Sequence, residues 1–532
     1  ALTWLNENTL TFDKNLRTND NLNVVVGYTL QEFENEFISN YVFDIPDGKL
    51  GYHNLGGALN PQAPRNGETR WSMVSYLGRA QYSLTGKYLF TLTGRLDGSS
   101  KFSEDNKYSF FPSAAVAWRI IEEPFMKNIA FLSDMKIRSS IGIIGNQAIQ
   151  PYQSLPLVGP QGEGVFNNGT DYTFYISSQP QSFNNPNLKW ETTRQFNVGV
   201  DAGFFGDRLS LSVDYYQKYT YDLLLSTPIA STSGFEFTTL NIGNVENRGF
   251  DLEINSYNTG ASSKVKWNTS LNFSTNRNEI TKLATDTDVN LGSGLILREG
   301  EPIGTFYGYQ FDGIFQTNEE ADASAVFVTQ QSGASKAVPG DRKYRDVVED
   351  GVITEADRTI LGNALTDFTW GLNNNIEFKN FTLSFFIQGS QGNEMANLNS
   401  SSLEDFRGLN NVSAEAALNR WTPDNPSNRY PRALASRTVD VGTFSSTMVE
   451  DASYVRLKNV TLGYNLPTPL LQKLSLRNLR IYVSATNLVT ITDYSGFDPE
   501  GSSHGTATAY PGVDQGRYPL TKTYLFGLNI GL

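Results

Sequence analysis

The densest grouping of oxygen donors in this sequence is DVVEDGVITEAD, residues 346 to 357. Laid on a calcium-binding loop of about 12 residues, Asp346 falls at position 1 and Asp350 at position 5. Gly351 then takes the turn at position 6, Val352 offers its carbonyl at 7, Thr354 stands at 9 and Asp357 at 12. Oxygen ligands at that spacing suit a hard cation, calcium or magnesium. Val348 gives no ligand at position 3, and position 12 carries Asp where a bidentate Glu is usual, so the segment also reads as an acidic turn that keeps the backbone course without metal. Catalysis has less to stand on. The two histidines, His53 and His504, lie far apart in loop-like sequence, and no serine sits at a strand-to-helix elbow. With no cysteine, disulfides, thiolate metal sites and a thiol nucleophile are excluded. The glycines of NLGGAL (54 to 59) lack the lysine and the strand-to-helix context of a phosphate cradle. No cofactor is required by any of these residues. Aromatic side chains in polar stretches, Tyr152, Tyr172, Phe174, Tyr175, Trp421 and Tyr430, could stack on a ligand. They could also pack the loops against each other or sit in an interfacial belt. Trp421 is the strongest of them as a ligand contact, followed by Tyr430, Tyr152 and Tyr172.

Residues in loops need a scaffold, and composition narrows it. A net charge of −13 with no Lys/Arg-rich run argues against nucleic acid as a partner. No apolar run approaches the roughly 18 residues of a membrane helix, so a membrane-spanning form would have to be a closed β-barrel. Aromatic content of 12% at a mean hydropathy of −0.35 suits strands with one apolar and one wet face. Such alternation recurs. RLSLSVDYYQKYTY sets Leu209, Leu211, Val213 and Tyr215 against Ser210, Ser212, Asp214 and Tyr216. VKWNTSLNFSTN sets Val265, Trp267, Leu271 and Phe273 against Lys266, Asn268, Ser270 and Asn272. YLFTLTGRLD sets Tyr88, Phe90, Leu92 and Leu96 against Thr91, Thr93, Arg95 and Asp97.

This periodicity predicts strands near 3–12, 21–34, 71–84, 86–97, 108–121, 134–144, 190–204, 208–221, 245–257, 263–277, 367–378, 380–390, 453–465, 477–487 and 520–531. Short turns at 84–87, 205–207, 258–263 and 379–380 alternate with long polar stretches at about 35–70, 145–189, 277–366, 392–452 and 488–519. Short turns at one end and long loops at the other is the pattern of outer-membrane barrels. The expected fold class is therefore all-β: a transmembrane antiparallel β-barrel, of which residues 1–532 form one portion with about 15 strands. Leu211, Val213, Trp267, Leu271, Phe273, Phe385 and Leu528 are expected to face lipid. An odd strand number, and a start in strand-like ALTWLNENTLTF, lead to the expectation of a chain about twice as long whose further strands precede Ala1. The closing TYLFGLNIGL reads as the last strand of the barrel.

Several segments resemble the C-terminal half of SusC/RagA-type TonB-linked outer-membrane transporters. They are ENTLTFDK (7–14), YLFTLTGRLDGSSKF (88–102), NPNLKWETTRQFNVGVD (185–201), NVENRGFDLEIN (244–255), IGTFYGYQFDGIFQ (303–316), RWTPDNPSNRYPR (420–432), DASYVRLKNVTLGYNLP (451–467), IYVSATNL (481–488) and YPLTKTYLFGLNIGL (518–532). The resemblance implies a barrel of about 22 strands occluded by an N-terminal plug, in the outer membrane of a Gram-negative-type bacterium with its C-terminus periplasmic. It implies TonB as partner through an N-terminal region absent from this chain, a SusD-like surface lipoprotein as lid, and oligosaccharides or peptides as cargo. It implies no enzymatic step. Two other readings stay open. A passive pore or surface-adhesion barrel would be complete at about 16 strands. A secreted glycan-binding β-protein would show the same alternating faces, but would not explain the apolar last strand or the loop asymmetry.

Overall fold

The computed structural model describes the chain apart from residues 47, 50, 168–171, 181–182, 184, 230, 236, 261, 284–286, 330–332, 405, 407–410, 434–442 and 504–509. The alternating segments all become strands, and they form one antiparallel sheet of 15 in which each strand pairs with the next along the chain. In order they are β1 (Leu2–Arg17), β2 (Asp20–Ser39), β3 (Arg65–Leu84), β4 (Tyr88–Ser99), β5 (Tyr108–Arg119), β6 (Leu132–Asn146), β7 (Glu191–Phe204) and β8 (Leu209–Tyr221). After these come β9 (Asn244–Tyr257), β10 (Val265–Lys282), β11 (Phe368–Phe378), β12 (Phe381–Gln391), β13 (Tyr454–Asn465), β14 (Asn478–Thr492) and β15 (Thr523–Gly531). No helix among the described residues is long and apolar enough to cross a membrane.

Several strands run past their expected ends. The β2–β3 ladder continues to Ser39 and Arg65, through Glu32, Glu34 and Glu36 on one side and Glu68 and Arg70 on the other. Backbone pairing there outlasts the apolar alternation, because the N–H to C=O ladder does not need a greasy face to persist. The expected stretch 35–70 therefore shrinks to the connection 40–64, and 277–366 to 283–367. A further long connection, 222–243, was not expected; its own apolar residues form a small hairpin of Leu224–Pro228 with Phe237–Asn241. The connections 18–19, 85–87, 120–131, 205–208, 258–264, 379–380 and 466–477 leave one end of the strands, and none exceeds 12 residues. Those at the other end are 40–64, 100–107, 147–190, 222–243, 283–367, 392–453 and 493–522.

The chain divides into two compact units. In the first, one row of cross-strand partners reads Phe12, Val24, Ala80, Leu92, Ala114, Ile141, and the adjoining row reads Asp13, Asn23, Gln81, Thr91, Ala115, Ser140. Since successive side chains point to opposite faces, one face is apolar and the other polar. Two aromatic girdles bound the apolar face. Tyr28 and Tyr76 stack at 6.3 Å on the side of the long connections, and Tyr88 and Trp118 stack at 6.2 Å on the side of the short turns. Tyr88 pairs with Leu84, so the girdles are eight residues apart along β3, about 27 Å at a strand's rise. In the second unit the corresponding row is Trp267, Ile376, Leu383, Leu462, Val483, Phe526, backed by Asn268, Asn375, Ser384, Thr461, Ser484, Leu525. Five of the six in the backing row are polar, and four of them bond in pairs, Asn375 Nδ2 to Asn268 Oδ1 at 3.1 Å and Thr461 Oγ1 to Ser484 Oγ at 2.8 Å. The expected lipid-facing Trp267, Leu271, Phe273 and Phe385 lie on the apolar face, as does the 56% exposed Leu528 opposite Ile481. Asn374 and its cross-strand partner Thr269 are exceptions on that face: Asn374 is buried, and its Oδ1 accepts from Trp267 Nε1 at 2.9 Å and Thr269 Oγ1 at 2.7 Å.

The sheet has two free edges. β1 pairs with β2 alone and β15 with β14 alone, and every residue of β1 is exposed.

Candidate functional site

In the second unit the connections 283–367, 392–453 and 493–522 fold onto one another. Glu394–Asn397 pairs antiparallel with Val449–Asp451 and parallel with Val513–Asp514, joining two of them in one small sheet. Leu295, Phe306, Ala396 and Val513, each at most 1% exposed, bury their side chains together and tie in the third. Apolar burial thus fixes loop backbone that would otherwise be free.

These loops and the polar ends of β11, β12 and β13 line an open cavity of about 1170 Å³. The sheet supplies Thr369, Ser390 and Tyr454; the loops supply Thr366, Asn393, Glu394, Glu500, Ser502, Ser503, Gln515 and Arg517. Glu394 is held where no side chain could intervene. Its Oε2 accepts from Asn363 N at 2.7 Å, and a Cβ on the preceding Gly362, whose φ is +147°, would fall 1.5 Å from that oxygen. Burial pushes the Glu394 carboxyl up; the Asn363 amide opposes this and the charge of Asp451 adds to it, leaving it above the ordinary range. Arg517 is placed by the turn before it, where Asp514 Oδ1 accepts from Gly516 N at 2.9 Å and Arg517 N at 3.1 Å. Asp514 Oδ2 also accepts from the Tyr494 hydroxyl at 2.8 Å. Burial raises the Asp514 carboxyl, but Tyr494 and the two amides pull it further down, so it stays charged; the Tyr494 phenol, buried against that charge, is pushed far up.

Beside the cavity Arg456 is 2% exposed. Its guanidinium meets Asp498 Oδ1 at 2.7 Å and Glu500 Oε2 at 2.6 Å, while Nε donates to Thr490 Oγ1 at 2.9 Å. Hydroxyls, amides, two carboxylates and an arginine around one hollow can hold a ligand through many directional hydrogen bonds. No activated nucleophile stands among them. His53 packs on the Tyr52 ring at 4.1 Å, and His504 lies outside the described residues.

The aromatic candidates lie elsewhere. Trp421 Nε1 donates to Gln316 Oε1 at 3.0 Å, its ring covers Gly340, and its amide donates to Tyr430 O at 3.0 Å. Tyr430 is 6% exposed with its hydroxyl on Glu415 Oε1 at 2.9 Å. Trp421 joins one loop to another, Tyr430 braces residues of its own loop, and neither lines the cavity. Tyr152, in the first unit, takes φ +67° and accepts from Arg70 N at 2.9 Å. Tyr172, Phe174 and Tyr175 fall in the strand Tyr172–Pro180, whose side chains up to residue 179 lie outside the described ones. The residues sequence reasoning missed, Thr369, Ser390, Glu394, Ser502 and Arg517, are common polar types; the signal available was that the polar faces of β11 to β13 lead straight into long loops.

The acidic loop is satisfied from within. Asp346 accepts from Glu349 N at 2.7 Å and Gly351 N at 2.8 Å, and Asp350 accepts from Val352 N at 2.9 Å. Asp357, fully buried, accepts from Val347 N, Val348 N and Thr354 N at 2.9, 3.1 and 2.8 Å, and Thr354 Oγ1 accepts from Ala356 N. Among the described residues no three acidic or histidine side chains converge as a metal site requires, Asp346, Asp350 and Asp357 included. Carboxylate oxygens of Asp346, Asp350 and Asp357 that the spacing offered to a cation accept from the loop's own amides. Burial alone would raise the Asp357 carboxyl; the amides and Asp346 more than offset this and leave it below the ordinary range. Its contribution is therefore present above the ordinary carboxylate range and is lost as pH falls through its lowered value. Asp357→Ala should cost this loop about 1.5–3 kcal/mol, the range for hydrogen bonds to a charged acceptor. Faster proteolysis between Asp341 and Arg358 in the variant is the readout, with chelator leaving the wild-type digest unchanged.

Comparison with known proteins supplies the family. Residues 2–488 match the family described as TonB dependent receptor-like, beta-barrel. A TonB-dependent receptor of Formosa agariphila is 38% identical over 99% of this chain and 52% of its own length. The TonB-dependent receptor SusC of Bacteroides thetaiotaomicron is 34% identical over 87% of this chain and 44% of its own. A structure of the RagAB peptide transporter superposes on the whole chain with a TM-score of 0.79 at 26% identity, over 55% of the compared chain. The chain thus spans about half the length of the curated relatives it matches. This chain belongs to the TonB-dependent receptor β-barrel family of the outer membrane, and its relatives include SusC.

Proposed function

We propose that this chain is the loop-bearing portion of an energised outer-membrane importer of the SusC/RagA type for large polar cargo, oligosaccharide or peptide. The observation that carries it is the 1170 Å³ cavity rich in hydroxyl, amide and charged groups, where the polar sheet face meets three packed loops. The apolar face meets lipid, the long connections face outward and the C-terminus is periplasmic. Further strands join β15 to β1 and carry the plug and the TonB-binding segment, and a SusD-like lipoprotein closes over the loops. No cofactor is required, and the acidic turn at 346–357 needs no cation.

Uptake of labelled oligosaccharide or peptide by cells carrying the full-length protein tests this. An importer coupled to the inner-membrane proton gradient stops when a protonophore collapses it. Undiminished uptake would instead support a passive pore. The face assignment is checked separately: Leu271, opposite Leu372 on the apolar face, replaced by Arg should lower stability by about 2–4 kcal/mol if it lies near the bilayer midplane. Unchanged unfolding in detergent or lipid would mean that the faces are reversed.

A further inference from the structure

We propose that the second unit holds an extended segment of the surface lipoprotein as an added strand, in a gap of the sheet between β10 and β11, and that this segment carries a basic and an acidic residue two positions apart. The proposal rests on the reading above that the long connections face outward and that a lipoprotein sits over them.

β10 last pairs with β11 at Ser274 and Thr369, yet it runs on to Lys282. Pairing on that edge resumes at Ile280, whose N donates to Glu301 O at 2.9 Å and whose O accepts from Gly300 N at 2.8 Å. In an antiparallel ladder the N–H and C=O of every second residue turn to the same edge, so those of Asn276 and Asn278 face the gap as well. Among the described residues nothing pairs with them. Their side chains are occupied: Asn247 Oδ1 accepts from Asn276 Nδ2 at 3.1 Å and Asn278 Nδ2 at 2.9 Å, and Asn278 Oδ1 accepts from Ile303 N at 2.8 Å. What stays open is backbone, along a hollow of about 260 Å³ that Asn363, Leu365, Thr366 and Asp367 bound on the far side. Bare N–H and C=O groups at a strand's spacing are matched by another peptide backbone. From Ser274 to Ile280 is about 20 Å, room for about five residues.

The charges beside the gap decide what that segment carries. Ser274 Oγ donates to Asp251 Oδ1 across the ladder of β9 and β10, as Asn278 Nδ2 does to Asn247 Oδ1, and in that register Arg248 stands opposite Arg277 and Glu246 opposite Glu279. Like charges directly opposite each other destabilise a sheet, and here two such pairs follow in succession. Glu246 Oε1 accepts from Gln217 Nε2 at 2.8 Å; among the described residues Arg248, Arg277 and Glu279 have no hydrogen-bond or ion-pair partner. All four line the gap. A strand added to the free edge of β10 would put alternate side chains beside Arg277 and Glu279, so an acidic residue meets the first and a basic residue the second. Running antiparallel, as its neighbours do, the segment reads basic then acidic from its N-terminus. Arg277 and Glu279 share the face of Phe273, beyond its stack on Phe368 at 5.4 Å. They stand outside the barrel at its long-connection end, where a protein held at the cell surface reaches and cargo on the polar face does not.

The test uses full-length protein purified in mild detergent with its lipoprotein, and capped synthetic pentapeptides as probes. A pentapeptide with lysine second and glutamate fourth should bind, and one with the two exchanged about tenfold more weakly, as two cross-strand charge pairs turn repulsive. The double variant Arg277→Glu, Glu279→Arg keeps the net charge and sets opposite charges across β9 and β10, so it should fold at least as well, which heat-modifiable gel mobility shows. It should invert the peptide preference and retain about tenfold less lipoprotein through washing. The first peptide should also displace lipoprotein from wild type. Equal binding of the two peptides, or equal lipoprotein retention by wild type and the double variant, would overturn the proposal. So would protonophore-sensitive uptake of the first peptide by cells, which would make it cargo. A protein that holds its lipoprotein but shows no peptide preference overturns this inference alone, whereas one that purifies without any lipoprotein overturns the reading it rests on.

Discussion

Full-length protein truncated before Tyr518 should be absent from the outer membrane. The truncation removes β15, whose residues Thr523 to Gly531 pair with Thr486 to Asn478 of β14. Without it β14 offers a row of unpaired N–H and C=O groups. In water such an edge is hydrated, but in hydrocarbon each unsatisfied group costs several kcal/mol, so a sheet one strand short does not insert. The removed strand also carries the apolar stretch of Tyr524, Phe526, Leu528 and Ile530, each more than half exposed in this chain. Surface labelling and outer-membrane fractionation measure the outcome. Normal surface display of the truncated protein would show that β15 is dispensable and that the barrel closes through other strands.

Arg456→Ala should lower stability by about 3–5 kcal/mol, the cost of breaking a buried pair by removing one partner. Asp498, with a side chain 3% exposed, would be left as a buried carboxylate whose guanidinium partner is gone. Glu500 keeps Lys458 at 3.3 Å, so the penalty centres on Asp498. Arg456 joins β13 to Thr490 on β14 and to the loop 493–522, and Glu500, Ser502 and Arg517 of that loop line the cavity. Loop proteolysis and cargo affinity should therefore change together. Arg456→Lys should recover only part, since an ammonium cannot bond Asp498, Glu500 and Thr490 in one plane. An Arg456→Ala protein with wild-type protease resistance across 493–522 would contradict the account of this triad.

The strands were legible because lipid on one side and water on the other impose period two, and all 15 appear where the alternation of residues such as Leu209 to Tyr216 places them. Their ends were less so. Pairing between Glu34 and Arg70 needs only backbone, which leaves no trace in hydropathy. The 222–243 connection went unnoticed because Leu224, Leu225, Phe237 and Leu240 keep it from reading as a long polar stretch. The cavity was illegible for a different reason. It depends on pairings such as Ala396 with Val513, far apart in sequence, and on serine and threonine types that abound throughout. Trp421 and Tyr430 stood out by size, and the structure uses Trp421 to hold one loop on another and Tyr430 to brace its own loop at Glu415. Acids at 346–357 matched a calcium loop because carboxylates that cap amides of a tight turn recur at similar spacing.

Accessibility of spin labels on adjacent residues tests the central claim most directly. This chain has no cysteine, so single cysteines placed at Leu462 and Thr461 give defined labels on the two faces of β13. In the full-length protein reconstituted into lipid, a label at Leu462 should be relaxed by oxygen dissolved in the bilayer and shielded from a water-soluble nickel complex. A label at Thr461, beside Ser384 and Ser484, should show the reverse. Equal access of the nickel complex to both positions would contradict a barrel whose apolar face meets lipid and whose polar face lines the path for cargo.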